Sequence, residues 1–187
     1  MPLPTVYLGG SSDAAVDVAA AEADVFLTWS EPPAQVAEKL AGVQDRAAEY
    51  GRRVRGGIRL HVISRDTTDE AWAAADRLIA GLDGETIAQH QSQLRSVRSE
   101  GQRRNLELHG GDRNRLLVGP NLWAGSASSV AGRAGTALVG SHDEVAERIR
   151  ECRDIRNRRA PLLRNPHLEY AEHFGHGVLP KFASESV

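Results

Sequence analysis

Short apolar segments alternate with longer helix-like segments through the first half of this sequence, and this order restricts the possible folds strongly. The segments, in order, are a strand at 4–8, a helix at 14–23, a strand at 24–29, a helix at 31–50, a strand at 54–65 and a helix at 67–82. Residues that favour helix starts, such as Ser12 and Pro32, stand before the helices. Strands that alternate with helices are typical of βα units on a parallel sheet. The sequence therefore predicts an α/β fold.

Composition and charge indicate one soluble globular domain. The chain has 187 residues, of which 41% are apolar and 26% charged, with a net charge of −2. A charge this small gives no bulk attraction to nucleic acid or to an anionic membrane, and no apolar stretch nears the ~20 residues that span a bilayer. The N-terminus lacks a signal-peptide pattern, and the single cysteine, Cys152, excludes an internal disulfide. We expect a cytoplasmic protein without nucleic-acid or membrane partners, in which Cys152 has no catalytic role.

Three later segments break the alternation. Residues 84–115 are rich in Gln, Arg and Glu, which indicates a helical insertion, and residues 121–140 have the Gly, Ala and Ser content of a mobile loop. A helix is predicted from Ser141 to Cys152. A further strand should follow it, but residues 153–161 hold five charges and a proline, which a buried strand does not tolerate. The predicted organisation is one domain at 1–182, with 84–140 as insertion and mobile loop, and a tail at 183–187.

Six short motifs stand in a fixed order along the chain. They are the segments 7–13, 27–33, 57–63, 121–125, 134–140 and 166–169, from Tyr7-Leu8-Gly9-Gly10 to Pro166-His167-Leu168-Glu169. In order and spacing the set resembles the FMNH2-dependent alkanesulfonate monooxygenases of the bacterial luciferase-like superfamily. The resemblance implies the C-terminal half of an eight-stranded β/α (TIM-type) barrel, here with a disrupted last strand. A complete barrel needs about 250 residues, so the length of the chain agrees with a half barrel.

The resemblance also implies a reaction and its partners. Reduced FMN, delivered by a separate NAD(P)H-dependent FMN reductase, and O2 would convert an alkanesulfonate into an aldehyde and sulfite. The cofactor supplies the difficult chemistry, and the protein positions and shields it. The family suggests a homo-oligomer, and the N-terminal half of the barrel would be a further partner, without which we expect no activity. Two alternatives remain open: a non-catalytic remnant that keeps part of a flavin phosphate site, and another luciferase-like flavin or deazaflavin oxidoreductase.

The turn after the first strand is the predicted cofactor site. Gly10 lets a phosphate approach the backbone, the helix start presents unpaired amides, and the hydroxyls of Ser11 and Ser12 could complete a cradle. In a β/α barrel this turn lies on the active-site face. An ordinary helix cap after a tight turn explains the same residues, and the resemblance favours the phosphate site.

Four further residues are predicted to be catalytic. Arg59 and His61 alternate on one strand, so their side chains should face the same side. An arginine pointing into a barrel needs an anion, such as a sulfonate or a flavin phosphate; a structural Arg–His pair is the alternative. Trp29 and His167 match active-site positions of the family, although a tryptophan at a strand end also packs in cores. Packing roles are expected for the other two tryptophans, Trp72 and Trp123. No metal site is predicted.

Two segments depart from the family pattern. The loop arginine of the family falls on Ala131, with Arg133 out of register, and the Tyr-Pro-His of the family reads Asn165-Pro166-His167 here. Segments 126–133 and 153–165 can both be encoded so that a one-base shift restores the family text, and the coding DNA tests this hypothesis of a shifted frame. A half barrel leaves an unpaired strand edge, so we also expect low solubility and poorly cooperative unfolding.

Overall fold

The structure, a computed structural model, describes residues 3–80, 100–109, 116–125, 136–154 and 167–183. The strands in these ranges are β1 (Tyr7–Gly9), β2 (Val25–Trp29), β3 (Arg55–Arg59), β4 (His61–Arg65), β5 (Leu117–Gly119), β6 (Leu122–Trp123) and β7 (Ala137–Ser141). The helices are α1 (Asp13–Glu22), α2 (Pro33–Glu49), α3 (Thr68–Ala80), α4 (Glu100–His109), α5 (His142–Asp154) and α6 (His167–His173), followed by a π-helical turn (Phe174–Val178) and a 3₁₀ turn (Leu179–Phe182). The predicted α/β class is confirmed, and no closed barrel forms within the described ranges.

The first sheet is parallel and contains β1, β2 and β3 in sequence order. Helix α2 follows β2, and its apolar residues recur every three or four positions, which is the spacing of one helix face. The buried residues of α2 are Val36, Leu40, Val43 and Ala47. They pack in one cluster with Phe26 of β2 and Ile58 of β3. Burial of a side chain such as Phe26 stabilises the fold by about 1.5–3 kcal/mol.

The predicted single strand at 54–65 is wrong in one respect, because the chain changes its neighbours at Leu60. Up to Arg59 it pairs with β2, and from His61 onward it pairs with β7. Thr136, which precedes β7, connects the two sheets: its hydroxyl donates to the carbonyl of Ser30 at 2.8 Å, and its carbonyl accepts from the amide of His61 at 3.3 Å. The change of partner divides the segment into β3 and β4.

The second sheet has the order β4-β7-β6-β5 and is covered on both faces. Val62 and Leu138 lie side by side in register and pack with α5 through Val145. The next register pair packs on the opposite face, with the small residues of α3. That pair is Ile63 and Val139, and the residues of α3 are Ala71, Ala74 and Ala75.

The segment predicted as a mobile loop, 121–140, contains regular structure at both ends. Asn121 adopts a left-handed φ of 56°, which asparagine tolerates better than most residues, and closes the turn between β5 and β6. Its side-chain amide donates to the carbonyl of Val139 at 2.9 Å, so the turn is attached to β7. Residues 126–135, which include Arg133, lie outside the described residues.

Other predictions about the later segments have mixed outcomes. The helix predicted at 141–152 is confirmed as α5, and α4 lies in the polar segment 84–115. Residues 81–99 and 110–115 of that segment lie outside the described residues, as do 155–166, where the disrupted strand was predicted. Trp72 and Trp123 pack edge to face with ring centroids 6.4 Å apart, as expected for core residues. No described helix is both long enough and apolar enough to cross a membrane.

The edge strand β1 generates the first prediction. Within the described residues β1 pairs with β2 alone, and Tyr7 on it is 52% exposed. Since charged side chains on an edge oppose strand-to-strand association, Tyr7→Lys should lower self-association in analytical ultracentrifugation. Tyr50→Lys is the matched control, because Tyr50 is 57% exposed but follows helix α2 instead of lying on a sheet edge. Equal effects of the two substitutions would mean that added charge, and not the edge, controls association.

Candidate functional site

The carboxyl ends of the parallel strands bring most of the predicted site residues into one region. Gly10, Ser11 and Ser12 follow β1, and Trp29 ends β2. Arg59 ends β3 and is the register partner of Trp29. Ligands of α/β proteins bind at the carboxyl ends of parallel strands. The first sheet therefore gathers five of the seven predicted residues at the edge where a ligand is expected.

The three residues of the β1–α1 turn have different roles. A Cβ on Gly10 would lie 2.4 Å from Cβ of Ala15, so only glycine allows α1 to approach the strand this closely. The hydroxyl of Ser12 accepts from the amide of Ala15 at 3.3 Å and caps α1. The hydroxyl of Ser11 instead faces α2, where it accepts from Nζ of Lys39 at 3.5 Å. The helix-cap interpretation thus describes Ser12, and Ser11 is the turn hydroxyl that meets a cation.

A buried ion pair lies beneath this turn. The Glu31 carboxylate is 2% exposed and the Lys39 ammonium 8% exposed, with 2.9 Å between Nζ and Oε1. Lys39 also donates to the hydroxyl of Thr28 at 3.0 Å. These two acceptors, together with the hydroxyl of Ser11, match the three donors of an ammonium group. Lys39 is held by the ends of both β1 and β2.

Helix α4 adds a second cation to Glu31. Nε and Nη2 of Arg104 donate to the two carboxylate oxygens at 3.1 and 3.0 Å. Such a two-point contact binds a carboxylate more strongly than the single bond of an ammonium group. Gly101, one turn earlier, lies against the turn and the strand end: a Cβ there would be 3.4 Å from Oγ of Ser11 and 4.0 Å from Cε2 of Trp29. The polar insertion therefore contacts the candidate site directly.

The two cations explain the pKa values of the cluster. Burial alone would raise the pKa of Glu31, but the hydrogen bonds from Arg104 and Lys39 outweigh it, and the pKa is lowered from its ordinary 4.5. Burial lowers the pKa of Lys39 from its ordinary 10.5, and the bond to Glu31 opposes this only in part. Both pKa values are therefore lowered, which favours the charged form of Glu31 and disfavours that of Lys39, because Glu31 has two cationic partners whereas Lys39 shares its carboxylate with Arg104. The pKa of Arg104 is raised, chiefly by its bond to Glu31.

Sequence reasoning missed Lys39 and Arg104 as members of the site. Glu31 was assigned only to the start of α2, although a carboxylate directly after a strand at this edge is itself a site signal. Lys39 lies two turns further along the same helix, and so a helical face could have indicated it. Arg104 is 73 positions from Glu31, and no local pattern connects them.

The predicted pair of Arg59 and His61 is divided by the change of partner at Leu60. Arg59 is partly exposed at the end of the first sheet, whereas His61 begins the second sheet and is 6% exposed. The register partner of His61 is Ala137, and that of Arg59 is Trp29. His61 therefore lies inside the packed second sheet, and Arg59 lies nearer the β1–α1 turn.

The last predicted residue, His167, is the first residue of α6. This helix packs near the carboxyl end of β4, where Glu169 pairs with Arg65 and the Tyr170 ring lies 4.9 Å from the same guanidinium. A cavity of about 290 Å³ adjoins it, lined by Asp66, His142, Glu172, His173, His176 and Gly177. In this cavity Nε2 of His142 lies 3.2 Å from Asp66. Among the described residues no group of three or more His, Cys, Asp or Glu side chains could hold a metal ion.

Comparison with known proteins identifies the fold. The profile of the family described as luciferase-like monooxygenase matches residues 1–158. Riboflavin lyase (RcaE), with modified FMN and riboflavin, superposes with a TM-score of 0.69 and 19% identity over 96% of this chain and 42% of that one. EDTA monooxygenase (EmoA) from Chelativorans sp. BNC1 superposes with a TM-score of 0.69 and 18% identity, over 98% of this chain and 45% of that one. The coenzyme F420-dependent tetrahydromethanopterin reductase of Methanopyrus kandleri superposes with a TM-score of 0.53 and 14% identity, over 94% of this chain and 50% of that one. The chain thus spans half the length of these structures or less.

The Glu31 cluster generates the second prediction. Because the pKa of Glu31 is lowered in the folded state, its stabilising contribution is complete above about pH 4.5 and is lost as the pH falls through the folded pKa. Glu31→Gln leaves two cations without their carboxylate and should lower the free energy of unfolding at pH 7 by about 3 kcal/mol. Urea denaturation should show this difference shrinking below pH 4.5.

Glu107→Gln is the control for that measurement. The Glu107 carboxylate is 60% exposed and pairs with exposed Arg103, so its loss should leave the urea midpoint nearly unchanged. If Glu31→Gln lowers the free energy of unfolding equally at pH 3.5 and pH 7, the charge of Glu31 does not contribute to stability.

Proposed function

Because this chain belongs to the luciferase-like monooxygenase family, we propose that it is part of a flavin-dependent monooxygenase of the alkanesulfonate type. The proposed reaction converts an alkanesulfonate into an aldehyde and sulfite, with FMNH2 and O2 as co-substrates. The observation that carries the proposal is the cluster beneath the β1–α1 turn, where the Ser11 hydroxyl meets a buried lysine.

The residues of this turn fit a flavin phosphate. Lys39 and Arg104 place two cations next to the single carboxylate of Glu31, and Glu100 is a further acidic neighbour of both. Since the Ser11 hydroxyl accepts from Lys39, its own proton remains available as a donor. Glycine at position 10 keeps side-chain atoms away from the backbone there. On this proposal Gly10, Ser11 and Ser12 form the phosphate end of the cofactor site.

The other predicted residues would act on the substrate side. Reduced flavin supplies the oxygen chemistry when bound. Arg59 at the end of β3 would bind the sulfonate or another anion, and Trp29 beside it would exclude water from the reacting region. His61 and His167 retain their proposed catalytic roles, His61 at the start of β4 and His167 on α6 beyond the end of that strand. On this proposal the four residues line the region where the carboxyl ends of the first sheet meet the second sheet.

Two alternatives are weighed against this proposal. A non-catalytic remnant with a partial phosphate site is favoured by the replacement of the family Tyr-Pro-His by Asn165-Pro166-His167. A different flavin or deazaflavin oxidoreductase is favoured by the likeness to an F420-dependent reductase in fold. The Arg59-Leu60-His61 motif favours the alkanesulfonate reaction over that alternative.

The proposed partners follow from the same family resemblance. We propose an NAD(P)H-dependent FMN reductase as the source of reduced flavin, and a cytoplasmic homo-oligomer as the working form. The N-terminal half of a barrel would complete the sheet, and β1 offers it an edge: within the described residues this strand pairs on one side only, with β2.

Flavin binding is the third prediction. FMN titration, followed by quenching of flavin fluorescence, should give tighter binding than riboflavin, because only FMN carries the phosphate. Ser11→Ala should weaken FMN binding by about tenfold or more, the value of one hydrogen bond to a charged group, and leave riboflavin binding unchanged. Ser141→Ala is the matched control, since Ser141 is the last residue of β7 and its hydroxyl accepts from the helix amide of Glu144. Equal affinities for FMN and riboflavin would contradict the phosphate site.

Sulfite release distinguishes an enzyme from a remnant. The chain would be assayed with an alkanesulfonate, a flavin reductase and NADH, alone and with the N-terminal half of a related barrel. Sulfite in either mixture that disappears in Arg59→Ala supports the monooxygenase. FMN binding with no sulfite in both mixtures supports the remnant.

A further inference from the structure

We propose that helix α4 forms a wall of the candidate cofactor site, and that Glu31 and Arg104 are positioning residues that hold it over Ser11 and Trp29. The proposal deepens the proposed function, on which it rests for the identity of the ligand. It assigns a role to the polar insertion, which composition alone describes as a solvated helix.

The first argument is the burial of Glu31. A carboxylate that is 2% exposed must be compensated by partners, and both of its oxygens are bound by Arg104. Arg104 is itself 31% exposed, so its guanidinium connects the buried interior to the surface helix. The contact has two charge-assisted hydrogen bonds and fixes both the distance and the rotation of α4 relative to β2.

The second argument is that none of the α4 side chains that the structure describes belongs to either apolar cluster. A groove of about 450 Å³, lined by Pro32, Gln35, Glu107 and Val118 among others, lies alongside Arg104 between α4 and the start of α2. The ion pair therefore bridges a gap that side-chain packing leaves open. Without Arg104 the helix would lose its two-point contact with Glu31.

The third argument is the position of Gly101. It faces Oγ of Ser11 and the ring of Trp29 at ordinary or slightly tight contact distance. A helix in this place covers the turn hydroxyl and the strand end together. Release of α4 would expose the two residues that the proposed flavin site needs to shield from water.

The chain offers a matched control within the same helix. Arg103 is 58% exposed and pairs with Glu100 and Glu107, both on α4 itself. Arg103→Gln removes the same charge as Arg104→Gln and ends two ion pairs, but it leaves the contact with Glu31 intact. A difference between the two variants therefore reports docking of α4 and not helix propensity or net charge.

The test measures access to position 11. In a Cys152→Ser background, Ser11→Cys supplies a single thiol, and its rate of reaction with N-ethylmaleimide is followed by mass spectrometry. Arg104→Gln should raise this rate by about tenfold or more, the effect of losing a charge-assisted contact on a local opening equilibrium. Arg103→Gln should leave it within about twofold, because exposed pairs contribute little. Arg104→Lys, with charge but no two-point contact, should give an intermediate rate.

The outcomes separate this inference from the proposed function. Equal labelling rates in the Arg104→Gln and Arg103→Gln variants overturn the α4 wall. Amide hydrogen exchange of the Arg104→Gln variant distinguishes release of α4 from general unfolding. Faster exchange confined to residues 100–109 supports release of the helix, whereas faster exchange throughout β2 and β3 overturns the proposal. Saturating FMN should slow the labelling when Arg104 is unchanged. If FMN does not change the labelling rate while Arg104→Gln still raises it, the flavin phosphate site is contradicted and the α4 wall is supported.

Discussion

The fold is organised around one stretch of chain, residues 55–65, which belongs to two sheets. Its first part pairs with β2 and its second with β7, and the exchange occurs at Leu60. Three hydrogen bonds fix the exchange. The Ser30 amide donates to the carbonyl of Arg59, the Thr136 hydroxyl donates to the carbonyl of Ser30, and the His61 amide donates to the carbonyl of Thr136. Leu60 itself is buried in the cluster that contains apolar residues of α2 and α5. Arg59 and His61 flank this point, so the bonds that join the sheets also hold the backbone that carries the two predicted site residues.

The parts of the fold that the sequence predicts are those controlled by local chemistry. Helix α1 starts at a serine cap and α2 at prolines, and the apolar face of α2 recurs at a helical period, so each could be identified within its own segment. The division at Leu60 could not, because it requires Thr136, which is far along the chain. The loop predicted at 121–140 failed for a similar reason: small residues such as Ala137 have weak strand propensity and form β7 only because the neighbouring β4 buries them.

The candidate site divides in the same way. Gly10 and Ser11 follow from a strand, a tight turn and a helix start, all of which are adjacent in sequence. Lys39 and Arg104 give this turn its charge, and neither is adjacent to it. A sequence pattern can place a hydroxyl at the end of a strand, but the cation beneath it is selected by the packing of α2 and α4. Ser12 is the opposite case. Its hydroxyl caps α1, and the local sequence pattern predicts this contact without a ligand.

The charge balance of the cluster connects fold and proposed function. Glu31 binds two cations, a buried lysine and a partly exposed arginine, and Glu100 lies close enough to act electrostatically on both. A buried ammonium is unfavourable unless it is fully paired, and the lowered pKa of Lys39 expresses this cost of burial. Arg104 can be hydrated at the surface, but Lys39 cannot, because its three donors point to Ser11, Thr28 and Glu31. Two of these partners, Ser11 and Thr28, are hydroxyls, and Ser11 is the one that lies in the β1–α1 turn. On the proposed function, a phosphate at Ser11 would add negative charge near Lys39, which is the physical reason to connect this cluster to a phosphate.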